Sequence, residues 1–166
     1  MSRASHPGSG TGLTRGLGVI LAVLLGCPVP GRATVGFSCS GGDDAAEFVV
    51  NGAYGSSLGA GLAAFGAEIK ILLPSVPIEL RDLRLDRSHV RQDWFVGRDI
   101  KLLMRWEPID DAPYREAILI IEARRGKAEE SAYRGRYSLR LQWRPPDPGA
   151  ETKKLETSGK VSCGTG

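Results

Sequence analysis

The 166-residue chain carries 22 Lys and Arg against 19 Asp and Glu, a formal net charge of +3 at pH 7. Three of those cations (Arg3, Arg15 and Arg32) precede Thr34 and every acid follows it, so residues 34–166 hold 22 less three, or 19, cations against 19 acids. A formally neutral stretch excludes the broad basic field that nucleic-acid binding needs, and it is long enough for one domain with one core.

Residues 1–33 read as a secretory signal. Arg3 and Arg15 supply positive charge, Leu17 to Gly26 (LGVILAVLLG) is a short apolar run, and GCPVPGRA ends on a small residue. Basic region, apolar core and small-residue cleavage site follow in that order in export signals. The run falls well short of the roughly 20 residues that cross a bilayer, so no transmembrane span is expected. Cleavage after Ala33 would release a periplasmic or secreted protein, and this route is preferred. As the alternative, Leu24-Leu25-Gly26-Cys27 resembles a bacterial lipobox, which would leave a lipoprotein anchored through a modified Cys27.

Either route retains Cys39 and Cys163, one near each end of the domain. In an oxidising compartment the economical arrangement is a disulfide joining the first and last strands.

Val35, Phe37 and Cys39 alternate with small residues and give a first short strand, closed by the turn signal Ser40-Gly41-Gly42-Asp43-Asp44. Glu47 to Tyr54 reads as a second strand. Tyr54 to Gly66 is glycine-rich and compatible with a loop, a helical turn or a strand that bends. It contains Gly55-x3-Gly59-x-Gly61, a spacing seen around the pyrophosphate in short-chain dehydrogenases. Only about two helical turns could follow before Glu68 resumes a strand, and no strand–helix alternation continues downstream. Glycines that permit a bend are the better account, and no cofactor is expected.

Ala67 to Leu73 is an apolar strand ended by Pro74 and Pro77. Ile78 to Arg87 alternates and then slips phase, which predicts a strand with a β-bulge at Arg81–Asp82. His89 to Gly97 reads as a connection whose Trp94 and Phe95 tuck into the edge of the core. Asp99 to Glu107 sets Ile100, Leu102, Met104 and Trp106 on one face. Glu116 to Arg125, apolar in both phases, reads as a strand covered on both sides, with a helix as rival. Tyr133 to Trp143 (YRGRYSLRLQW) alternates throughout, and Lys154 to Cys163 closes the domain with Leu155, Val161 and Cys163 in one phase. The expected fold is therefore all-β: an antiparallel β-sandwich or flattened barrel of about eight strands over residues 34–166, with at most one short helix.

Chemistry is sparse. The domain holds one histidine, His89, beside Ser88; no Gly-x-Ser-x-Gly elbow is present, and sequence neighbours do not make a triad. A capping or solvated role is expected for His89. One histidine and two bridged cysteines leave too few ligands for zinc, and Asp43-Asp44 and Asp110-Asp111 lack the oxygen spacing of a calcium loop. No catalytic or metal-ligating residue is expected. The remaining feature is the arginine comb Arg134, Arg136 and Arg140, continued by Arg144, whose guanidinium groups suit carboxylates or phosphates. Lys101 and Arg105 would enlarge it from a neighbouring strand. Pairing with Glu116, Glu122 or Glu156 would instead make it a solvated, self-neutralised face.

The expectation is a non-enzymatic envelope or periplasmic protein that binds an envelope partner or supports an assembly. The alternative is an anion-binding module whose comb takes an acidic protein, polysaccharide or lipid headgroup; a further alternative is a hydrolase with carboxylates brought together by the fold.

Overall fold

The computed structural model describes residues 35–55, 61–108, 113–127 and 131–166. The stretch read as an export signal, with Cys27, most of the glycine motif at 55–61, and Asp110-Asp111 lie outside the described residues. Nine strands form: β1 (Val35–Gly42), β2 (Ala46–Tyr54), β3 (Leu62–Ile71), β4 (Asp82–Asp86), β5 (Val90–Val96), β6 (Asp99–Trp106), β7 (Arg115–Arg125), β8 (Ala132–Trp143) and β9 (Lys153–Thr165). They build one sheet in the order β4-β3-β2-β1-β9-β8-β7-β6-β5, with every neighbouring pair antiparallel. The protein is all-β, a nearly closed barrel in which chain neighbours pair and the first strand meets the last.

The odd strand count explains where the ring stays open. Eight successive antiparallel pairings return the direction to its start, so β4 and β5, at the two ends of the order, run the same way. Only the 3-10 turn Arg87–His89 separates them in the chain. They behave as one long strand that breaks and changes partner, serving β3 with its first part and β6 with its second. An expectation of about eight strands becomes nine through this break. Across the seam, Phe95 of β5 stacks on Tyr54 of β2, with ring centroids 4.9 Å apart and planes 14° apart, and the Arg87 guanidinium donates to the Leu62 carbonyl.

The alternation of each strand assigns its inner face. Phe37 and Cys39, Phe48 and Val50, Ile69 and Ile71, Ile100, Leu102 and Met104, Leu119 and Ile121, and Tyr137, Leu139 and Leu141 are all buried in one cluster. Each large side chain of this kind contributes roughly 1.5–3 kcal/mol by leaving water. Three aromatic rings lie over glycines directly opposite in the register: Phe37 over Gly52, Phe48 over Gly41 and Tyr137 over Gly159. A glycine leaves room for the ring to cover its backbone, which lets a sheet curve tightly without leaving a gap.

Cys39 and Cys163 stand directly opposite in the β1–β9 ladder and are joined by a disulfide (S–S 2.08 Å). Both are buried. The bridge between first and last strands is as expected from their shared inward phase.

Three expectations fail, each where an edge is involved. Ile78–Leu80 is a 3-10 turn, and only Asp82–Asp86 is strand, so there is no bulge at Arg81–Asp82. Pro77 opens the turn, and Arg81 holds it by donating to the Val76 carbonyl (2.8 Å) and the Pro74 carbonyl (2.6 Å). The phase slip marks Leu80, fully buried, turning into the core. The expected connection at His89–Gly97 contains the strand β5, because Gly97 adopts φ 62° and closes a two-residue hairpin turn onto β6. Phe95 tucks inward as expected, but Trp94 points outward and remains 55% exposed. The ambiguous glycine-rich stretch resolves as strand from Leu62, with a register shift at Ala53/Tyr54. Glu116–Arg125 is strand, not helix: its inner face is buried, while Ile118 and Ile120 are half-buried outside.

Candidate functional site

The arginine comb sits on β8, where alternation buries Tyr133, Tyr137, Leu139 and Leu141 and exposes Arg134, Arg136, Ser138 and Arg140. Residues two apart on one face are separated by about 6.8 Å, so Arg134 to Arg140 spans roughly 20 Å of the outer surface. Gly135 lies between the first two arginines and runs very close to β7; a Cβ built there would fall 1.8 Å from the Glu122 carbonyl oxygen.

The register supplies the neighbours. On the β9 side, Arg134 faces Ser162, Arg136 faces Lys160, Ser138 faces Ser158 and Arg140 faces Glu156. On the β7 side, Arg136 faces Glu122 and Arg140 faces Ile118. A directly opposite carboxylate would ordinarily neutralise an arginine, but Glu122, opposite Arg136, is held by a competitor, and Glu156, opposite Arg140, makes no ion pair with it within 4.0 Å. Lys101 of β6 takes Glu122 at 3.0 Å, and Arg105 takes Glu116 at 2.6 Å and Glu107 at 2.5 Å. Arg124 binds Asp99 through two hydrogen bonds of 2.6 and 3.1 Å, which hold the Asp99 carboxyl below its ordinary value. Neither Arg136 nor Arg140 has an ion pair within 4.0 Å among the described residues.

The expected enlargement by Lys101 and Arg105 therefore does not occur, since those cations are spent on local acids. Lys160 joins instead. Its outward phase is legible in the sequence, but its place beside Arg136 is a matter of register. Arg144 leaves the ladder: its N–H bonds the Tyr114 carbonyl at 2.8 Å, and the residue lines a groove with Pro113, Pro145 and Pro146. An outer groove lined by Ile118, Ile120, Ser138, Arg140, Glu156 and Ser158 adjoins the cations. The face thus offers guanidinium, ammonium and hydroxyl donors around a small apolar floor, with the Glu156 carboxylate at its rim.

Ser88, His89 and Asp86 do come together, but as a cap. Asp86 Oδ1 accepts from the Ser88 N–H (2.9 Å) and Ser88 hydroxyl (2.6 Å) and lies 2.9 Å from His89 Nδ1, which also accepts from the Asp86 N–H at 3.2 Å. The Ser88 hydrogen bond foremost, with the other donors, lowers the Asp86 pKa. Serine and aspartate both address the same ring nitrogen, so the histidine cannot relay a proton between them as a triad base does. Elsewhere, Asp43 accepts from the Thr157 hydroxyl beside Tyr137, whose phenol is pushed up to about 12 by burial and by that carboxylate. Among the described residues, no three His, Cys, Asp or Glu side chains converge as a metal site, and no helix is long and apolar enough to cross a membrane.

No protein-family model matches the chain, and no curated protein or solved structure matches it.

Proposed function

We propose that this is an exported, non-enzymatic binding protein whose β8–β9 outer face takes an anionic ligand or partner surface through Arg136, Arg140 and Lys160. The observation that supports it is the pairing pattern: Glu122, opposite Arg136, is held by Lys101 of β6, and Glu156, opposite Arg140, makes no ion pair with it within 4.0 Å, so Arg136 and Arg140 stand without ion pairs among the described residues beside the Ser138 and Ser158 hydroxyls. Arginines free of internal partners can make charge-assisted, bidentate contacts with carboxylates, sulfates or phosphates, each stronger than a neutral hydrogen bond. The filled interior supports an outer site, since Tyr133, Tyr137, Leu139 and Leu141 occupy the space an internal ligand would need.

The test presents the protein from Thr34 onward with poly-glutamate, a sulfated polysaccharide, and vesicles with and without an anionic phospholipid, which distinguishes the three sources of negative charge. Binding of at least one probe at 50 mM salt is expected, with steep loss as salt rises. Arg136→Ala with Arg140→Ala should weaken it by roughly tenfold or more. Equal binding by the double variant, or no binding of any probe at low salt, would sink the reading.

A further inference from the structure

We infer that the anionic ligand of the β8–β9 face is a single-chain amphiphile, with its acidic head at Arg136, Arg140 and Lys160 and its alkyl chain lying across β7 and β6 over Ile120 and Leu103. This rests on the anionic face proposed for the protein and gives its ligand a chemical class.

The register lines up outward residues in rows across the strands. One row runs Leu103, Ile120, Ser138 and Ser158, so it changes from apolar on β6 and β7 to hydroxyl on β8 and β9. Leu103 and Ile120 are half-buried, although they stand on an outer face where alternation ordinarily places polar residues. Two outer grooves, one beside Ile118, Ser138 and Arg140 and the other beside Lys101, Leu103 and Glu122, both include Ile120 and join over it. Ile120 is the middle residue of β7, so this trough crosses the centre of the sheet, away from the strand ends.

Its walls are ion pairs. Lys101–Glu122 (3.0 Å) closes one side and Arg105–Glu116 (2.6 Å) the other. Lys101 and Arg105 each stand two residues from Leu103, so the floor at β6 is one residue wide and admits one chain, not two. Cations without an ion pair among the described residues gather at the β8 end: Arg136 and Arg140 flank Ser138, and Lys160 faces Arg136. Glu156 faces Arg140 from β9, so three cations meet one carboxylate and the end keeps a positive surplus.

From β8 the row continues to Gln92 of β5, three inter-strand spacings or about 14 Å. An acidic polymer would use the cations and leave the apolar floor bare, and a two-chain lipid is too wide for it. An anionic group on one alkyl chain of medium length matches both parts. Its head takes charge-assisted hydrogen bonds, and its chain gains by leaving water.

Calorimetric titration of the protein from Thr34 onward with decyl phosphate and with decanoate tests the inference. Each is kept below its critical micelle concentration at about 50 mM salt, and ethyl phosphate and acetate serve as head-only controls. At least one decyl ligand is expected to bind roughly tenfold or more tighter than its short-chain counterpart. Ile120→Thr with Leu103→Thr keeps strand-favouring residues and should weaken that binding at least tenfold. Val49→Thr, at an outward position of β2 that is 46% exposed, should leave it unchanged. No binding of either decyl ligand, equal affinity for decyl and short-chain ligands, or unchanged decyl affinity in the threonine pair overturns the inference while the anionic face stands on its own probes. Undiminished decyl affinity in Arg136→Ala with Arg140→Ala would instead sink the face itself, and the inference with it.

Discussion

Replacing Gly135 by alanine is expected to destabilise the barrel by about 3 kcal/mol or more, the upper range for forcing atoms into a packed site. The added Cβ would stand 1.8 Å from the Glu122 carbonyl oxygen and 2.6 Å from Ala123 Cα. Those atoms are backbone of β7, an inner strand paired on both sides, so no side-chain rotation relieves the contact. Either β7 and β8 separate, or the chain bends away and the inward set from Tyr137 onward loses its seat. Gly66 of β3 is the matched control: a Cβ there meets nothing within 4 Å, and Gly66→Ala should be neutral or stabilise by up to ~1 kcal/mol through the unfolded chain. Denaturant melts of both variants decide the matter. A Gly135→Ala protein within about 1 kcal/mol of the parent would show that the close approach is not a constraint. The same variant also bears on function, because Gly135 carries Arg134 and Arg136 on either side.

Loss of the disulfide is the second large effect. The strand order divides into two meanders, β1 to β4 and β5 to β9, each held by hairpin pairings between chain neighbours. Among the described residues, the one backbone ladder joining them is β1–β9, five residue pairs running from Phe37↔Thr165 to Gly41↔Val161. Cys39 and Cys163 sit at its centre, 124 residues apart in sequence. This is the pairing with the greatest loop-closure cost, and the bridge removes that cost from the unfolded chain, by up to ~5 kcal/mol in the chain-entropy account. Cys39→Ser with Cys163→Ser should lower stability by roughly 3–5 kcal/mol, and hydrogen exchange should rise first in β1. The two meanders should retain protection longer within their own hairpins. A serine double variant with unchanged denaturation midpoint would contradict this placement of the strain on closure.

The alternation of YRGRYSLRLQW carries more of the fold than any other stretch. It correctly assigns the inward tyrosines and leucines and the outward arginines, since a period of two belongs to a strand regardless of its partners. The phase of the two cysteines anticipates their meeting for the same reason. Edges were not legible in this way. Trp94 in HVRQDWFV has the chemistry of a core residue, and only the pairing of β5 with β6 turns it outward. The break in phase at Arg81–Asp82 suits a bulge as well as a buried Leu80, and the prolines that favour the turn lie outside the alternating window. Arg144 continues the comb in sequence but falls past the last ladder residue, Trp143.

The pairing of charges was open for a related reason. Glu122 lies opposite both Lys101 and Arg136 in register, one on each neighbouring strand, and composition cannot say which cation takes it. The fold gives it to Lys101, and Arg136 is left facing Lys160. That assignment leaves Arg136 without an ion pair among the described residues.

The all-β class, the facing of most strands and the meeting of the two cysteines are written into the residues one strand at a time, because side-chain alternation and inward phase are local properties of a strand. The strand order, the seam between β4 and β5, the exposure of Trp94 and the ion pairs around the comb arise from how the strands assemble. Each of those depends on which strand lies alongside which, and in what register, and a one-dimensional pattern of period two is the same for every choice of neighbour.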